Sequence, residues 1–343
     1  NLGLMVTHRE GEGGYFNRVL TADGDIYFNP RNRLQWQVST SETRYPSEMA
    51  QALRQPEGEF GGQAVQGLYF YGGREWSGSL GYRNFSRGFR ADSGFVPRVD
   101  FETWRGSLTR NFWGEEGDRY TAASVGTLVI HTRDQRGRLS DQKLELNSLV
   151  RGPLQSVATF RVANQDQISG DLLFEDMIQY AFTAAMQPTG HWRVSVSAEW
   201  GDTVDFVNSR EGDLLQGGFD LELKLGDHLN AQLEILQRDL DVEGGRLFRA
   251  ELAQMQLVYQ FNIRTFLRGI FQYESLDHDP SLYLRPPGPD SERVFSQLLF
   301  SYKINPQTVA FLGYTDSRFG LGGGPLDLND RTLFFKLGYA WIR

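Results

Sequence analysis

The chain has 343 residues, 40% of them hydrophobic and 23% charged, with a formal net charge of -8 and no cysteine. Absence of cysteine excludes a disulfide framework, a thiolate nucleophile and a cysteine metal site, and the acidic balance argues against a nucleic-acid partner, which demands a basic face. Mean hydropathy is -0.44 and no apolar run approaches the ~20 residues of a membrane helix; a membrane β-barrel escapes that exclusion, because it shows lipid only every second side chain.

In chain order, alternation of apolar and polar residues predicts strands at 1-9, 15-29, 33-44, 62-72, 75-86, 98-112, 119-133, 140-150, 154-165, 172-187, 191-202, 212-225, 229-240, 247-261, 265-275, 292-304, 307-316 and 330-342. The clearest is Phe219 to Leu225, with Phe219, Leu221, Leu223 and Leu225 on one face and Asp220, Glu222 and Lys224 on the other. A period of two with charges on the second face is a half-buried strand. Tight turns recur between pairs of strands: Asn29-Pro30-Arg31-Asn32, Gly72-Gly73-Arg74, Gly114 to Asp118, Arg151-Gly152-Pro153, Pro188-Thr189-Gly190, Gly226-Asp227-His228, Asn262-Ile263-Arg264 and Asn305-Pro306-Gln307. Between successive tight turns the connections read as longer and more polar. Short turns at one rim and long loops at the other are what a membrane imposes on a β-barrel.

About eighteen strands is an even number, which puts both termini at the short-turn, periplasmic rim. The expected fold is therefore all-β, a transmembrane antiparallel up-and-down β-barrel formed by residues 1-343 as one domain. Trp36, Trp76, Trp113, Trp192 and Trp341 fall near short turns or the C-terminus, and Trp104 and Trp200 toward the opposite strand ends. With Tyr339 they are the expected membrane-interface aromatics, since indole prefers the headgroup level. The competing architecture is a soluble β-propeller, whose blades also repeat near forty residues; blades, however, use four short strands and are covered on both faces.

Three stretches resemble a known family: Leu2 to Arg9 followed by Tyr15 to Val19; the segment Tyr82 to Asp100, with its Gly94-Phe95-Val96-Pro97-Arg98 run; and the C-terminal Phe300 to Arg318 with Asp327 to Arg343. They are similar to an uncharacterised outer-membrane family of Gram-negative bacteria, in which a carbohydrate-binding family-nine-like domain precedes a β-barrel domain of unknown function. The resemblance implies a barrel in the outer membrane, a sugar-binding domain and further strands ahead of Asn1, and no assigned reaction. No signal peptide opens the sequence, as expected of a processed export or of a piece of something longer. The last strand also resembles the signal read by the barrel-insertion machinery, although it ends Trp341-Ile342-Arg343.

Positions expected to line the interior carry Arg83, Arg105, Lys143, Glu145, Arg161, Arg193, Glu199, Glu222, Lys224, Glu234, Arg238, Arg268, Glu274, Lys303 and Lys336. Charges of both signs need water or partners, and a barrel of sixteen or more strands supplies a water-filled channel. A lumen filled by side-chain networks or loops is the alternative. The connection Tyr45 to Gln63 contains a two-turn helix over 47-54, with Ser47 as its expected N-cap; it either folds inward to narrow a channel or is simply a long surface loop. A second long loop holds Asp277-His278-Asp279 and the rigid Tyr283-Leu284-Arg285-Pro286-Pro287, suited to a protein or glycan contact.

Five histidines are present, of which His8, His131 and His278 stand toward outer strand ends or loops. No G-x-S-x-G or H-E-x-x-H pattern accompanies them, so no enzyme, no metal and no cofactor is expected. The sequence-based expectation is a porin-like channel, or the membrane part of a transport or surface assembly, with outer-membrane lipid, lipopolysaccharide and the insertion machinery as partners. Its alternative is a non-conducting outer-membrane anchor whose loops bind carbohydrate or protein.

Overall fold

The computed structural model describes residues 1-169, 172-305 and 307-340. Among them are eighteen strands: β1 Leu2–Glu10, β2 Phe16–Asn29, β3 Asn32–Arg44, β4 Glu59–Gly72, β5 Trp76–Phe85, β6 Phe101–Trp113, β7 Ala122–Arg133, β8 Leu139–Arg151, β9 Val157–Ser169, β10 Leu172–Thr189, β11 Trp192–Asp205, β12 Arg210–Leu225, β13 Leu229–Val242, β14 Gly245–Asn262, β15 Thr265–His278, β16 Ser291–Asn305, β17 Thr308–Leu321 and β18 Asp327–Tyr339. They form one antiparallel up-and-down sheet. The only α-helix among the described residues is α1, Ser47–Ala52. Every predicted strand has its counterpart.

The chain divides into two compact units. The first is Asn1–Trp113 with Ala123–Ser148 and Ala163–Asp176; the second is Gly114–Ala122 with Leu149–Val162 and Met177–Arg343.

Within each unit, cross-strand register assigns side chains to faces, because directly paired residues share a side. In the first, Asp23 pairs with Gln37, Gln37 with Gln66, Gln66 with Arg83 and Arg83 with Thr103. In the second, Ser195, Asp220, Glu234, Gln254 and Gln272 form a similar row. The opposite faces are apolar and exposed: Leu80, Trp104 and Leu108 are 54%, 47% and 49% accessible, and Leu333, Phe335 and Leu337 are 73%, 68% and 58% accessible. Each unit therefore has a polar face and an apolar face, as the alternation predicts. Exposure of so much large apolar surface is abnormal for a monomeric protein in water.

The connections correct the sequence reading in three ways. Chain segments 206-209 and 243-244 are as short as the tight turns although they lie at the supposedly loose end. Two of the tight turns are longer than expected. The connection at 114-121 carries Gly117 at φ 96, and that at 152-156 places Leu154 and Gln155 at φ 58 and 52, a left-handed conformation that a strand does not accept. Strands β7 and β9 therefore begin three residues later than their alternation suggests. Finally, Ser47 is the first helical residue rather than the cap. Pro46 precedes the helix at φ -53, its carbonyl accepts from the Ala50 amide at 2.8 Å, and no side chain caps the end. At the loose end many strands also run further than predicted, β17 to Leu321 and β9 to Ser169. There, polar cross-strand contacts replace apolar alternation: Arg331 and Arg318 both donate to Asp316, at 2.7 and 3.0 Å.

Candidate functional site

The most constructed part of the first unit is the connection 86-100 between β5 and β6, which folds back onto the polar face of β2 to β5. Phe89 is 4% exposed and packs with Val19 and Ala64, flanked by Phe85, Ala91, Val96 and Val99. Its ring meets Phe85 edge-on at 5.7 Å. The close backbone approach is possible because of glycine: a Cβ on Gly62 would sit 2.2 Å from the Phe89 amide nitrogen, and one on Gly88 would sit 2.1 Å from the Gly61 carbonyl oxygen.

Asn17, with no solvent exposure, clamps this segment. Its Nδ2 donates to Thr43 Oγ1 at 2.8 Å and to the Arg90 carbonyl at 3.0 Å, while its Oδ1 accepts from the Asp92 amide at 2.9 Å. The Arg90 amide donates to Ser41 Oγ at 3.0 Å, and its guanidinium reaches Gln55 in the connection 45-58. A buried polar side chain in an apolar setting is stable only when its donors and acceptors are matched, and here they are.

Asp92 is the second anchor. Tyr15 and Tyr45 donate their hydroxyls to its carboxylate at 2.7 and 3.0 Å, and Arg9 donates to its carbonyl at 2.9 Å. The two tyrosine rings stack at 5.8 Å with an interplanar angle of 7°. Burial, reinforced by the hydrogen bond to Asp92 and by that carboxylate's charge, pushes the Tyr15 hydroxyl up to about 12. Burial first, and then the same carboxylate, raises Tyr45 as well. Both phenols are thus held neutral, as donors to an anion should be.

This placement revises the expectation for 45-63. Helix α1 and Tyr45 support the site from the side, with Ala50 fully buried, but the segment that covers the polar face is 86-100. The Gly94 to Arg98 run belongs to that segment, and Phe95 within it is 88% exposed.

The expected interior charges all lie on the polar faces. Arg83 and Arg105 follow from register with Gln66 and Gly81. Lys143 and Glu145 alternate with Leu144 and Leu146, which are 50% and 52% exposed on the other side, and they pair with each other at 2.9 Å. In the second unit Arg161 pairs with Glu199 at 3.8 Å, and Glu274 with Arg293 at 3.7 Å. Arg268 donates through Nη2 to Gln297 at 2.8 Å, while its Nε is buried without a partner among the described residues. Arg193 and Glu222 oppose each other across β11 and β12, and Glu222 opposes Gln232. Arg193, Glu222, Lys224, Glu234, Arg238, Lys303 and Lys336 form no ion pair among the described residues.

Most of the expected interface aromatics lie on the apolar faces. Trp36 covers Gly24, Trp76 receives Arg110 over its ring at 5.2 Å, Trp104 lies 4.6 Å from Tyr82, and Trp192 pairs with Leu223. Trp200 stacks on Tyr180 at 5.5 Å, and Phe160 continues the row. Tyr339 is 62% exposed. Trp113 differs: its parity is that of Arg105, opposite to Trp104, and its indole donates to the Arg74 carbonyl at 3.0 Å at the strand end. Trp341 lies outside the described residues.

In the second unit the connection 279-290 folds over strand ends. Leu240, Val242 and Leu247 form a small core with Phe248, Leu282 and Tyr283. Asp205, 4% exposed, accepts from the Val207 and Asn208 amides, from Asn208 Nδ2 at 2.6 Å and from Arg210 Nε at 3.1 Å. Asn208 Oδ1 then holds the Leu284 amide at 2.8 Å, and Arg210 the Leu282 carbonyl. The histidines have structural contacts here and elsewhere: His278 reaches Gly288 and Asp290, His8 pairs with Glu10 at 2.7 Å, and His131 accepts from Arg133 at 2.6 Å.

No family model and no curated protein matches the chain. Solved structures with a similar course are outer-membrane proteins. A ferric enterobactin receptor of Pseudomonas aeruginosa is 10% identical, with a TM-score of 0.46, over 97% of this chain and 72% of that one. The siderophore receptor PirA of Acinetobacter baumannii is 8% identical at TM-score 0.44, over 88% and 66%. OmpT, an outer membrane protein of Vibrio cholerae, is 13% identical at 0.34, over 99% and 96%.

Proposed function

We propose that the sheet closes into an outer-membrane β-barrel whose polar faces surround a solvent-filled passage, and that segment 86-100 narrows it. The observation that carries this reading is the separation of faces: polar and charged side chains on one side of the strands, many of them outside any ion pair among the described residues, and exposed Leu, Phe, Trp and Tyr on the other. In water the apolar side is unstable against association, whereas in a bilayer it is the solvent-matched surface. Arginine beside Trp76 and Phe112 at the tight-turn rim fits a side chain reaching toward headgroups. On this reading lipid and lipopolysaccharide contact the apolar faces, the insertion machinery acts during assembly, and the termini are periplasmic. The role is passage of a polar solute in a porin-like way, with no covalent chemistry.

Single-channel recording in planar bilayers tests the passage. Folded protein should conduct, and Asn17→Ala, which frees the clamp on 86-100, should raise the unit conductance. Correctly folded protein without current would leave the second reading, an anchor whose loops or associated domain bind carbohydrate or protein. The folded connection 279-290, with its Pro-rich stretch, is the surface that reading would use. A heat-dependent shift in electrophoretic mobility checks membrane-barrel folding separately; solubility without detergent and no shift would overturn both readings.

A further inference from the structure

Two cavities on the polar face of the first unit meet at one arginine. The larger, about 750 Å³, lies beneath segment 86-100, and the smaller, about 610 Å³, continues along the same face; Arg83 lines both. The larger cavity is chemically divided. Phe85, Phe89, Phe101 and Val96 supply its apolar part, and Arg83 with Gln66 lies next to them along the same face. Phe85 and Phe101 are stacked at 5.2 Å with an interplanar angle of 15°, and Arg98, which also lines the cavity, stands over the Phe101 ring at 5.4 Å.

Arg83 makes no ion pair and no side-chain hydrogen bond among the described residues. Its neighbours are engaged: Arg90 with Gln55, Arg98 with Ser140 at 2.5 Å, and Arg9 with the Asp92 carbonyl. Gln66, directly opposite Arg83, is committed to Gln37 through a 2.9 Å amide hydrogen bond. Asp141 lines only the smaller cavity and forms no ion pair with Arg83. A guanidinium presents a planar fork that matches a carboxylate in two parallel hydrogen bonds. Aromatic walls favour a flat apolar body, and the volume falls within the ~300–1,000 Å³ common to small-molecule sites.

We infer that this cavity binds an amphipathic organic anion, an aromatic carboxylate, with the carboxylate on Arg83 and the ring system against Phe85, Phe89 and Phe101. The inference rests on reading the polar face as the solvent-filled side of the barrel, but not on whether ions pass through it. Charge and shape discriminate together: a neutral ring compound lacks the partner for Arg83, and a cation is repelled by it.

Equilibrium dialysis with the full chain in lipid nanodiscs tests this, using 2-naphthoate and the matched neutral 2-naphthalenemethanol, with empty nanodiscs to subtract partitioning. The acid should bind saturably at one site and the alcohol at least tenfold more weakly. Arg83→Gln should weaken the acid about tenfold, the equivalent of one charge-assisted contact, and leave the alcohol unchanged. Arg83→Lys keeps the charge without the fork and should fall between. Equal binding of acid and alcohol to the wild-type chain, no saturable acid binding, or undiminished acid affinity in folded Arg83→Gln would each overturn the inference. If the Gln variant fails the mobility-shift test of folding, the wild-type comparison of acid with alcohol still decides. Bilayer current on the same preparations separates the two readings: binding without current sinks the passage alone, and current without binding sinks this site alone.

Discussion

In the first unit a long connection crosses onto the polar face, while in the second the comparable connection 279-290 stays on strand ends. The difference lies in where each finds buried partners. Segment 86-100 is seized by Asn17 and Ser41, which stand on the polar face of β2 and β3, and its Phe89 enters a socket made by Val19 and Ala64. Connection 279-290 is seized by Asn208 and Arg210, which belong to the turn before β12 and the start of that strand. Anchors on strand bodies pull a loop inward, and anchors on neighbouring turns make it a cap. A covered polar face in the first unit and capped strand ends in the second are therefore consequences of a few polar side chains, since both units are built of antiparallel strands.

The largest break in this comparison is expected from Phe89→Ala. Removing a fully packed aromatic costs ~3–5 kcal/mol in a core that cannot collapse, and here the loss falls on the docking of one segment. Trypsin should then cut after Arg87 or Arg90 faster than in the wild type, while amide exchange in 279-290 stays unchanged. Loss of protection in both connections would show that the two are one cooperative structure and end the contrast.

Asp205→Ala is the converse test, with an effect of about 2 kcal/mol, because several donors lose a buried acceptor. The Asn208 and Arg210 side chains lose their orientation, so the Leu284 amide should exchange faster, while protease resistance at Arg90 remains. An unchanged Leu284 amide would mean that the small core of Leu240, Val242 and Leu247 holds the cap without Asp205.

How far could these two regions have been foreseen? Strands and faces were legible because a period of two is local, and each strand carries its own pattern from Phe219-Asp220-Leu221 to Leu333 and beyond. The docking of 86-100 was not, because Asn17 and Asp92 are remote in sequence and neither has a motif. A faint signal existed: Gly61-Gly62 in a strand and Gly88 in the loop are where backbones approach closely, and strand glycines often mark such sites. For Trp113, proximity to a turn was informative about depth but silent about face. At 152-156, alternation continued through Leu154 and Gln155 although their backbone is left-handed, so pattern alone placed the strand start too early.

Alkali should loosen the docking around Asp92 in the first unit. The Tyr15 hydroxyl is raised to about 12 and Tyr45 is raised as well, so both are neutral donors at pH 7. A raised pKa means stability fully present below the ordinary tyrosine value near ~10 and lost as pH rises through the folded value. Absorbance at 295 nm should therefore show a late tyrosinate component that shrinks in the Tyr15→Phe/Tyr45→Phe double variant to the part left by Tyr283, whose hydroxyl burial also raises. Identical titration curves would place both phenols in water and remove Asp92 as an anchor.

Ser47→Ala should do almost nothing, and that small effect sharpens how connection 45-58 supports the site. An N-cap serine lost to alanine costs ~0.5–2 kcal/mol. Ser47, however, is inside the helix, no side chain caps the end, and the Pro46 carbonyl closes the first turn. Alanine is also the better helix former, so thermal stability in detergent should change by less than ~0.5 kcal/mol. A loss of 1 kcal/mol or more would restore serine as the cap. With no loss, the support given to Arg90 comes from Gln55 and from the buried Ala50 face of the helix, and Gln55→Ala then becomes the variant that should weaken the hold on segment 86-100.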